Sequence, residues 1–193
     1  MSLGWIFGFL GFVCILLYFI GEIIKESDEK KEAENKIDEQ NPYKIGKEFE
    51  NYALNLFPEE SFNIVHKTVG AADLNGRYTE DCIYPDYKFR DRATGQEFWV
   101  ECKYRSHRGE RGAIDWTDQE HLQRYKRIRK ESGLKTYILI GLGGRPDDPN
   151  ELLFFDLDER GFATLFYSIQ NELRIEKRPY SSLEDLLNNK ESE

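Results

Sequence analysis

The most conspicuous pattern in the chain is one uninterrupted apolar stretch at its start. No charged side chain occurs from Met1 to Gly21, and Trp5–Ile20 is almost wholly apolar. A helix of about 20 apolar residues spans the roughly 30 Å hydrocarbon layer of a bilayer. A cleaved signal peptide is the alternative, but the positive n-region and the small-residue cleavage site that it requires are both missing. We therefore predict a transmembrane anchor over residues 1–24, which contacts the lipid bilayer through residues 3–24.

The residues after this stretch are polar and charged, and no apolar position repeats in them. Residues 25–40 carry four Lys and seven acidic residues, net −3, which predicts a charged linker. Lysines follow the apolar stretch, whereas no Lys or Arg precedes it. The positive-inside rule therefore predicts a single-pass membrane protein with its main domain in the cytoplasm. The lysines concerned are Lys25, Lys30, Lys31 and Lys36.

Periodic patterns begin near residue 41 and predict one folded domain over residues 41–193. Asn41 is a good N-cap, Pro42 suits the first position of a helix, and apolar residues then recur at helical spacing. A capping box of Thr117 and Glu120 predicts another helix, which Gly133 ends. The order of elements is typical of an α/β domain with a mixed central sheet flanked by helices. The predicted helices are 42–56, 117–133 and one capped by Ser181 or Ser182, and the predicted strands are Phe62–Val69, Asp86–Arg90, Glu97–Tyr104, Tyr137–Leu142 and Leu152–Leu157.

The distribution of charge along the chain is more informative than the net charge. A net charge of −9 argues against a nucleic-acid partner, because phosphate contacts need Lys and Arg. The acidic excess lies in the linker and in residues 146–193, which carry five basic and twelve acidic residues, net −7. Residues 103–130 carry nine basic and four acidic residues, net +5, although most such runs are the solvated face of a helix. Cys14, Cys82 and Cys102 show no spacing typical of a disulfide framework or a zinc site.

The candidate chemistry lies in the predicted hairpin. Asp86 opens its first strand, and Glu101-Cys102-Lys103 lies in the second. Since side chains alternate across a strand, Glu101 and Lys103 share one face, together with Trp99. Two converging carboxylates repel each other unless a cation intervenes, and Mg²⁺ takes such oxygen ligands while keeping sites for water and a phosphate oxygen. Lys103 would orient or help to deprotonate an attacking water, so that the set suits phosphodiester hydrolysis.

These residues resemble the motif of the PD-(D/E)xK nuclease superfamily. The motif stands as Pro85-Asp86 and Glu101-Cys102-Lys103, with Glu50 on the preceding helix, and the resemblance covers residues 42–142. It implies a restriction-endonuclease-like fold, with Mg²⁺ or Mn²⁺ held by Asp86 and Glu101, a nucleophile assisted by Lys103, and a further catalytic acid at Glu50. The branch implied is that of type IV restriction enzymes and Holliday-junction resolvases. Duplex-cutting members of such folds often need two sites, so a homodimer is one expectation.

Basic residues follow the motif directly and would lie beside such a metal site. A loop with Arg, Gly and an aromatic residue, here Trp116, is suited to gripping a backbone phosphate or stacking on a base. The branch often has a Gln four residues before a Tyr on the next helix, and this chain has His121 ahead of Tyr125. Tyr125 fits the apolar core stripe of that helix. The residues predicted to bind nucleic acid are Arg105, Arg108, Arg111 and His121.

Two functions remain open at this point. The first is a membrane-anchored, metal-dependent endonuclease that acts on nucleic acid, DNA above all. The alternative is a catalytically inactive nuclease-fold module that binds or scaffolds at the membrane. The motif residues would also suit an ordinary salt-bridge ladder on a hairpin, since a single match of this kind arises often by chance. Gly141–Gly144 follow a strand as a phosphate-binding loop would, but no helix pattern or Lys-Ser/Thr comes next, so we predict a turn.

Overall fold

The computed structural model describes Lys25 and residues 41–69 and 83–188 of the 193-residue chain. The chain divides into two units, residues 1–44 and 45–193. Every strand described below belongs to the second unit. The predicted anchor and, apart from Lys25, the predicted linker lie outside the described residues.

No helix within the described residues is both long and apolar enough to cross a bilayer. The longest, Gln119–Ser132, has 14 residues and is strongly charged, whereas a crossing needs about 20 apolar residues. This finding contradicts the predicted single-pass membrane localisation with a cytoplasmic domain. The bilayer contact predicted for residues 3–24 lies outside the described residues.

The first helix, α1, runs over Pro42–Ala53 and ends in a 3-10 turn at Leu54–Leu56. The predicted N-cap is confirmed, because Asn41 Oδ1 accepts the backbone N–H of Tyr43 at 3.0 Å. The helix packs through its apolar side, where Phe49 and Ala53 are buried. The tighter turn accounts for the last three residues of the predicted helix.

A six-stranded sheet forms the centre of the domain, in the order β1-β2-β3-β5-β6-β8. Only the β3–β5 pair is parallel, so the sheet is mixed and mostly antiparallel. The predicted mixed α/β class is therefore confirmed, and each predicted strand is present. The sheet strands are β1 (Phe62–Lys67), β2 (Tyr87–Asp91), β3 (Glu97–Arg105), β5 (Lys135–Arg145), β6 (Asp148–Asp156) and β8 (Arg174–Ile175), and a separate two-stranded sheet pairs β4 (Ile114–Asp115) with β7 (Thr164–Leu165).

The remaining helices lie between and after these strands. They are α2 (Gln119–Ser132), α3 (Tyr167–Gln170) and α4 (Leu183–Asn188). The predicted cap of α2 was wrong by one residue, because the carboxylate of Asp118, not Thr117, accepts the backbone N–H of His121 at 2.8 Å. Gly133 ends α2 in the left-handed conformation, as predicted, and the predicted cap Ser182 accepts the N–H of Asp185 at the start of α4.

The sheet separates two apolar cores, and strand alternation decides which side chain enters which. Phe98, Val100 and Cys102 of β3 pack on the side of α1 and α4. The core on the other side is formed by α2, the β4–β7 sheet and the opposite face of β5. Glu101 and Lys103 therefore project toward α2, on the side opposite the apolar face, as the alternation predicts.

The glycine-rich segment at the end of β5 is strand and not turn. Pairing continues to Gly144↔Pro149 and Arg145↔Asp148, and the turn itself is Pro146-Asp147. Gly143 and Gly144 both have φ +65°, a conformation that a side chain would strain. The turn predicted over Gly141–Gly144 is thus found at Pro146-Asp147, beginning two residues after Gly144.

Candidate active site

Asp86 is held at the start of β2 by two neighbouring strands. Its Oδ2 accepts the backbone N–H of Cys102 at 2.7 Å, which ties the start of β2 to the middle of β3. From the residue after β1, the hydroxyl of Thr68 donates to the carbonyl of Pro85 at 2.6 Å, and the Thr68 N–H donates to the carbonyl of Asp86 at 2.9 Å. The carboxylate is therefore bonded to β3, and the backbone that carries it is bonded to Thr68.

Glu101 is buried in β3, and one of its oxygens receives two donors. Lys103 Nζ lies 2.5 Å from Glu101 Oε1, and the hydroxyl of Tyr125 donates to the same atom at 2.5 Å. Tyr125 comes from α2, so the crossover helix fixes the carboxylate of the strand beneath it. Glu101 and Lys103, predicted from strand alternation to share a face, are in direct contact.

The electrostatics of these groups follow from burial and from their mutual charge. Burial raises the pKa of the Asp86 carboxyl well above its usual value, and the negative charge of Glu101 raises it further. Burial alone would lower the pKa of the Lys103 ammonium, but Glu101, Tyr125 and Asp86 together outweigh burial, and this pKa is raised. Burial and then Glu101 raise the pKa of Tyr125, which keeps its phenol neutral and able to donate.

Glu50 lies near this group but does not touch it. Its carboxylate pairs with Lys47 at 2.8 Å, and the hydroxyl of Tyr87 donates to its backbone carbonyl at 3.3 Å. Within the described residues it makes no hydrogen bond or ion pair to Asp86, Glu101 or Lys103. Its negative charge still adds to the raised pKa of Asp86, as a smaller contribution than burial and Glu101. The structure thus joins Glu101 and Lys103 directly, ties Asp86 to the backbone between them at Cys102, and links Glu50 to Asp86 only through its charge.

The donor set suits a hard divalent cation with few protein ligands. Asp86 Oδ1 and Glu101 Oε2 receive no hydrogen bond from the part of the chain that the structure describes. Mg²⁺ in phosphoryl-transfer sites is often held by one or two carboxylates, with water and substrate oxygens completing the shell. In that same part of the chain, no group of three or more His, Cys, Asp or Glu side chains is arranged as a metal site.

A cavity of about 360 Å³ opens beside Lys103. His121 lies on its wall, with its Nδ1 2.7 Å from Asp118 Oδ2. The structure thus places His121 at the same opening as Lys103. The lining residues are Lys103, Arg105, Asp115, Trp116, Thr117, Asp118 and His121.

The predicted arginines fall into two groups. Arg105 donates to the backbone carbonyls of Tyr104, Asp115 and Trp116 at 2.6 to 2.8 Å, so its guanidinium holds the β4 segment in place. Arg108 is bound in bidentate fashion by Glu151 at 2.8 and 2.9 Å and also donates to Gln170.

Arg111 differs from both, because it is exposed and stands at φ 56° in the loop before β4. In the part of the chain that the structure describes, no carboxylate pairs with it. Of the three arginines, Arg111 has the guanidinium best placed to meet a ligand.

Two residues of the site were not predicted in the roles that the structure gives them. The sequence pattern assigned Tyr125 to the core, and it is buried there, but its hydroxyl also binds Glu101. Its four-residue spacing from His121 was the one available signal. Trp116 was predicted to lie in the binding loop, whereas it is fully buried and its Nε1 donates to the carbonyl of Phe162 at 2.7 Å. An indole inside the core is not available to stack on a base.

Comparison with known proteins adds little to this geometry. The chain matches no protein-family model, and no curated protein matches it at a significant level. Among solved structures, Hjc, a Holliday junction resolvase from the archaeal hyperthermophile Archaeoglobus fulgidus, is similar to this chain with a TM-score of 0.46 and 15% identity. The match covers 65% of this chain and 91% of that one. A likeness of this size does not by itself establish a shared fold or reaction.

Proposed function

We propose that this chain is a nuclease of the PD-(D/E)xK type, which hydrolyses phosphodiester bonds in nucleic acid, DNA above all, with Mg²⁺ or Mn²⁺. The observation that carries the proposal is the convergence of Asp86, Glu101 and Lys103. Asp86 lies where β2 begins, next to the Glu101–Lys103 contact of β3, and the pKa of Asp86 is raised because burial and a second acid both oppose its charge. Ordinary surface ladders do not bury a carboxylate as completely as Glu101 is buried.

The cation accounts for an arrangement that would otherwise be unfavourable. Asp86 and Glu101 would hold the metal through the oxygens that receive no hydrogen bond from the described chain. When bound, the metal lowers the pKa of a water ligand and polarises the phosphorus centre. The raised pKa of Asp86 means that its negative charge is disfavoured where it lies, and a bound cation would offset that charge.

The protein's own groups then supply position and charge. Lys103 remains an ammonium ion, so in this chain it orients the attacking water and balances negative charge on the phosphoryl group. Tyr125 donates to Glu101 and keeps that carboxylate aimed at the site. Glu50 adds negative charge nearby and would contact the reacting groups only after leaving Lys47.

The phosphate backbone would enter through the cavity beside Lys103. Among the four residues proposed to bind nucleic acid, His121 lines that cavity and Arg111 is exposed close to β4. Arg105 and Arg108 shape the loop through the carbonyls of β4 and through Glu151, and they contribute positive charge from there. We assign direct phosphate contact to His121 and Arg111.

The test is cleavage of single-stranded, duplex and branched DNA by the full-length chain with Mg²⁺, Mn²⁺ or EDTA. Glu101→Gln and Lys103→Met are expected to lower the rate by about 100-fold or more, the range for loss of a positioned proton-transfer or charge-stabilising group. Glu97→Gln and Lys88→Met are matched controls. Glu97 lies on the same strand and face four residues earlier, and Lys88 pairs with it at 2.6 Å.

Cleavage that persists at full rate in Glu101→Gln or Lys103→Met would show that another site, or a contaminant, does the chemistry. Thermal melting of each variant separates loss of activity from loss of folding. Calorimetry with Mg²⁺ or Mn²⁺ gives a second readout, in which Glu101→Gln should weaken metal binding and Glu97→Gln should not.

The alternative is a nuclease-fold module that binds without cleaving. The observation that favours it is the 2.5 Å contact between Lys103 and Glu101, which neutralises both groups without any metal. That function predicts no cleavage with any metal and nucleic-acid binding that is unchanged by Glu101→Gln.

A further inference from the structure

Three large aromatic side chains are exposed where β7 meets the start of α3. Phe162 is 71% exposed, Phe166 is 66% exposed and Tyr167 is 57% exposed. Neighbouring side chains of the same segment, such as Leu165, are fully buried. Exposed rings that are grouped in this way are typical of interaction sites rather than of a monomer's ordinary surface.

The rings are held on a rigid base. The β4–β7 pairing sets Asp115 opposite Thr164, and their side chains are hydrogen-bonded at 2.5 Å, so both point to the outer face. Phe166 follows two residues after Thr164 in extended backbone, so alternation turns it outward as well. At the other end, the carbonyl of Phe162 is fixed by Trp116 Nε1.

The segment that carries these rings is bonded to two residues that line the cavity at Lys103. Asp115 and Trp116, which bind Thr164 and Phe162 respectively, are also part of the cavity wall. Ala163 lies at a bend, and only Thr164–Leu165 between the two phenylalanines is strand. The three rings lie within six consecutive residues, 162–167, whose backbone or side chains bond to two residues of the cavity wall.

Cations lie at both ends of the row. Lys126 Nζ is 2.8 Å from the carbonyl of Gly161, next to Phe162. Arg111 is next to Tyr167 through its neighbour Gly112, because a Cβ added to that glycine would lie 3.0 Å from Cδ2 of the Tyr167 ring. Arg108 lies 5.9 Å from the centre of the Tyr167 ring. Asp115 is a carboxylate on the same face, with its Oδ1 bonded by Thr164.

We propose that this aromatic row, Phe162, Phe166 and Tyr167 with Lys126 and Arg111 at its ends, binds unpaired bases of a nucleic-acid strand whose backbone continues into the Lys103 cavity. The row deepens the proposed function, on which it rests, by naming single-stranded segments as the part of the substrate that is recognised. Bases stack on exposed rings whatever their sequence, and flanking cations meet the phosphates. An uncharged protein partner would gain nothing from the two cations.

The experiment is binding of single-stranded DNA carrying 2-aminopurine to the full-length chain in EDTA, where no metal-dependent cleavage occurs. Stacking should quench the probe's fluorescence. The double variant Phe162→Ala/Phe166→Ala should abolish the quenching and weaken binding by about fivefold or more for each base unstacked. Ile64→Ala is the matched control, since Ile64 is 50% exposed on β1 at the far edge of the sheet.

Each outcome decides for or against the row. Unchanged quenching and affinity in the double variant would overturn it, as would a wild-type chain that does not bind single strands. If sedimentation shows self-association that the double variant abolishes while DNA binding stays the same, the row is a contact between two copies. Ring-dependent binding in EDTA by a chain that never cleaves with Mg²⁺ would support the row and refute the nuclease.

Discussion

Gly141 and Gly46 should respond with opposite sign to the same substitution, Gly→Ala. Gly141 lies in β5 beneath α1, and a Cβ added there would lie 2.3 Å from Cε2 of Phe49. Real atoms do not approach so closely, and the Phe49 ring is completely buried, so either the ring or α1 must move. Gly46 lies on α1 itself, and nothing stands within 4 Å of the Cβ that alanine would add.

The magnitudes follow from these two environments. Forcing extra volume into a packed core costs about 1–3 kcal/mol, so Gly141→Ala should lower the free energy of unfolding by that amount. Replacing a glycine within a helix by alanine stabilises by up to about 1 kcal/mol, which is the expectation for Gly46→Ala. At this chain length, 1 kcal/mol moves Tm by about 2–4 °C.

Urea and thermal unfolding followed by circular dichroism would measure both variants in the full-length chain. Combining Gly141→Ala with Phe49→Leu should cost less than the sum of the two single changes, because the leucine leaves space where the ring was. A Gly141→Ala chain as stable as the wild type would refute the contact between β5 and α1 and the position of α1 that follows from it.

Two further predictions concern contacts that hold α4. Asp91 is completely buried, and its carboxylate accepts the N–H groups of Ala93, Thr94 and Leu183. Asp91→Ala should therefore lower the free energy of unfolding by about 1–3 kcal/mol for each buried donor left unpaired, and Asp91→Asn should lower it by less. Equal losses for the two variants in urea unfolding would contradict this account. The bonds from Arg178, followed by that from the Ser181 N–H, lower the pKa of Asp185 well below its usual value. A carboxyl whose pKa is lowered by folding stabilises the fold at any pH above its unfolded pKa of about 3.9. That stabilisation is lost as the pH falls below this value. Asp185→Asn should therefore lower the free energy of unfolding by about 1 kcal/mol at pH 7, and the difference from wild type should shrink below about pH 4. A difference that does not depend on pH in the same unfolding assay would exclude the charge of Asp185 as its cause.

Local sequence patterns were sufficient for most of the fold. Alternation predicted the faces of β3, because a strand's period of two residues is set by its own backbone. The caps at Asn41, Gly133 and Ser182 were also predictable, since a cap bonds to groups two to four residues away. Thr117 failed because two adjacent residues suit a cap, and only the backbone's path decides between them.

In the candidate site, too, the residues set by local patterns could be predicted, whereas the contacts between distant segments could not. Asp86, Glu101 and Lys103 could be named from the sequence, since their spacing fits two neighbouring strands with one shared face. The contact between Tyr125 and Glu101 spans 24 residues, and the bond from Arg108 to Gln170 spans 62. No local pattern shows which of several arginines will meet a carbonyl or a carboxylate that distant.

The order of the elements, and the side of each on which its charged groups lie, could be predicted from the sequence, because both depend on neighbours within a few residues. Packing between distant segments commits Arg105 and Arg108 to the fold, places the Tyr125 hydroxyl on Glu101 and leaves the rings of Phe162 and Phe166 exposed. Those outcomes require chain segments far apart in sequence to pack together, and only the packed core sets which groups then come within bonding distance.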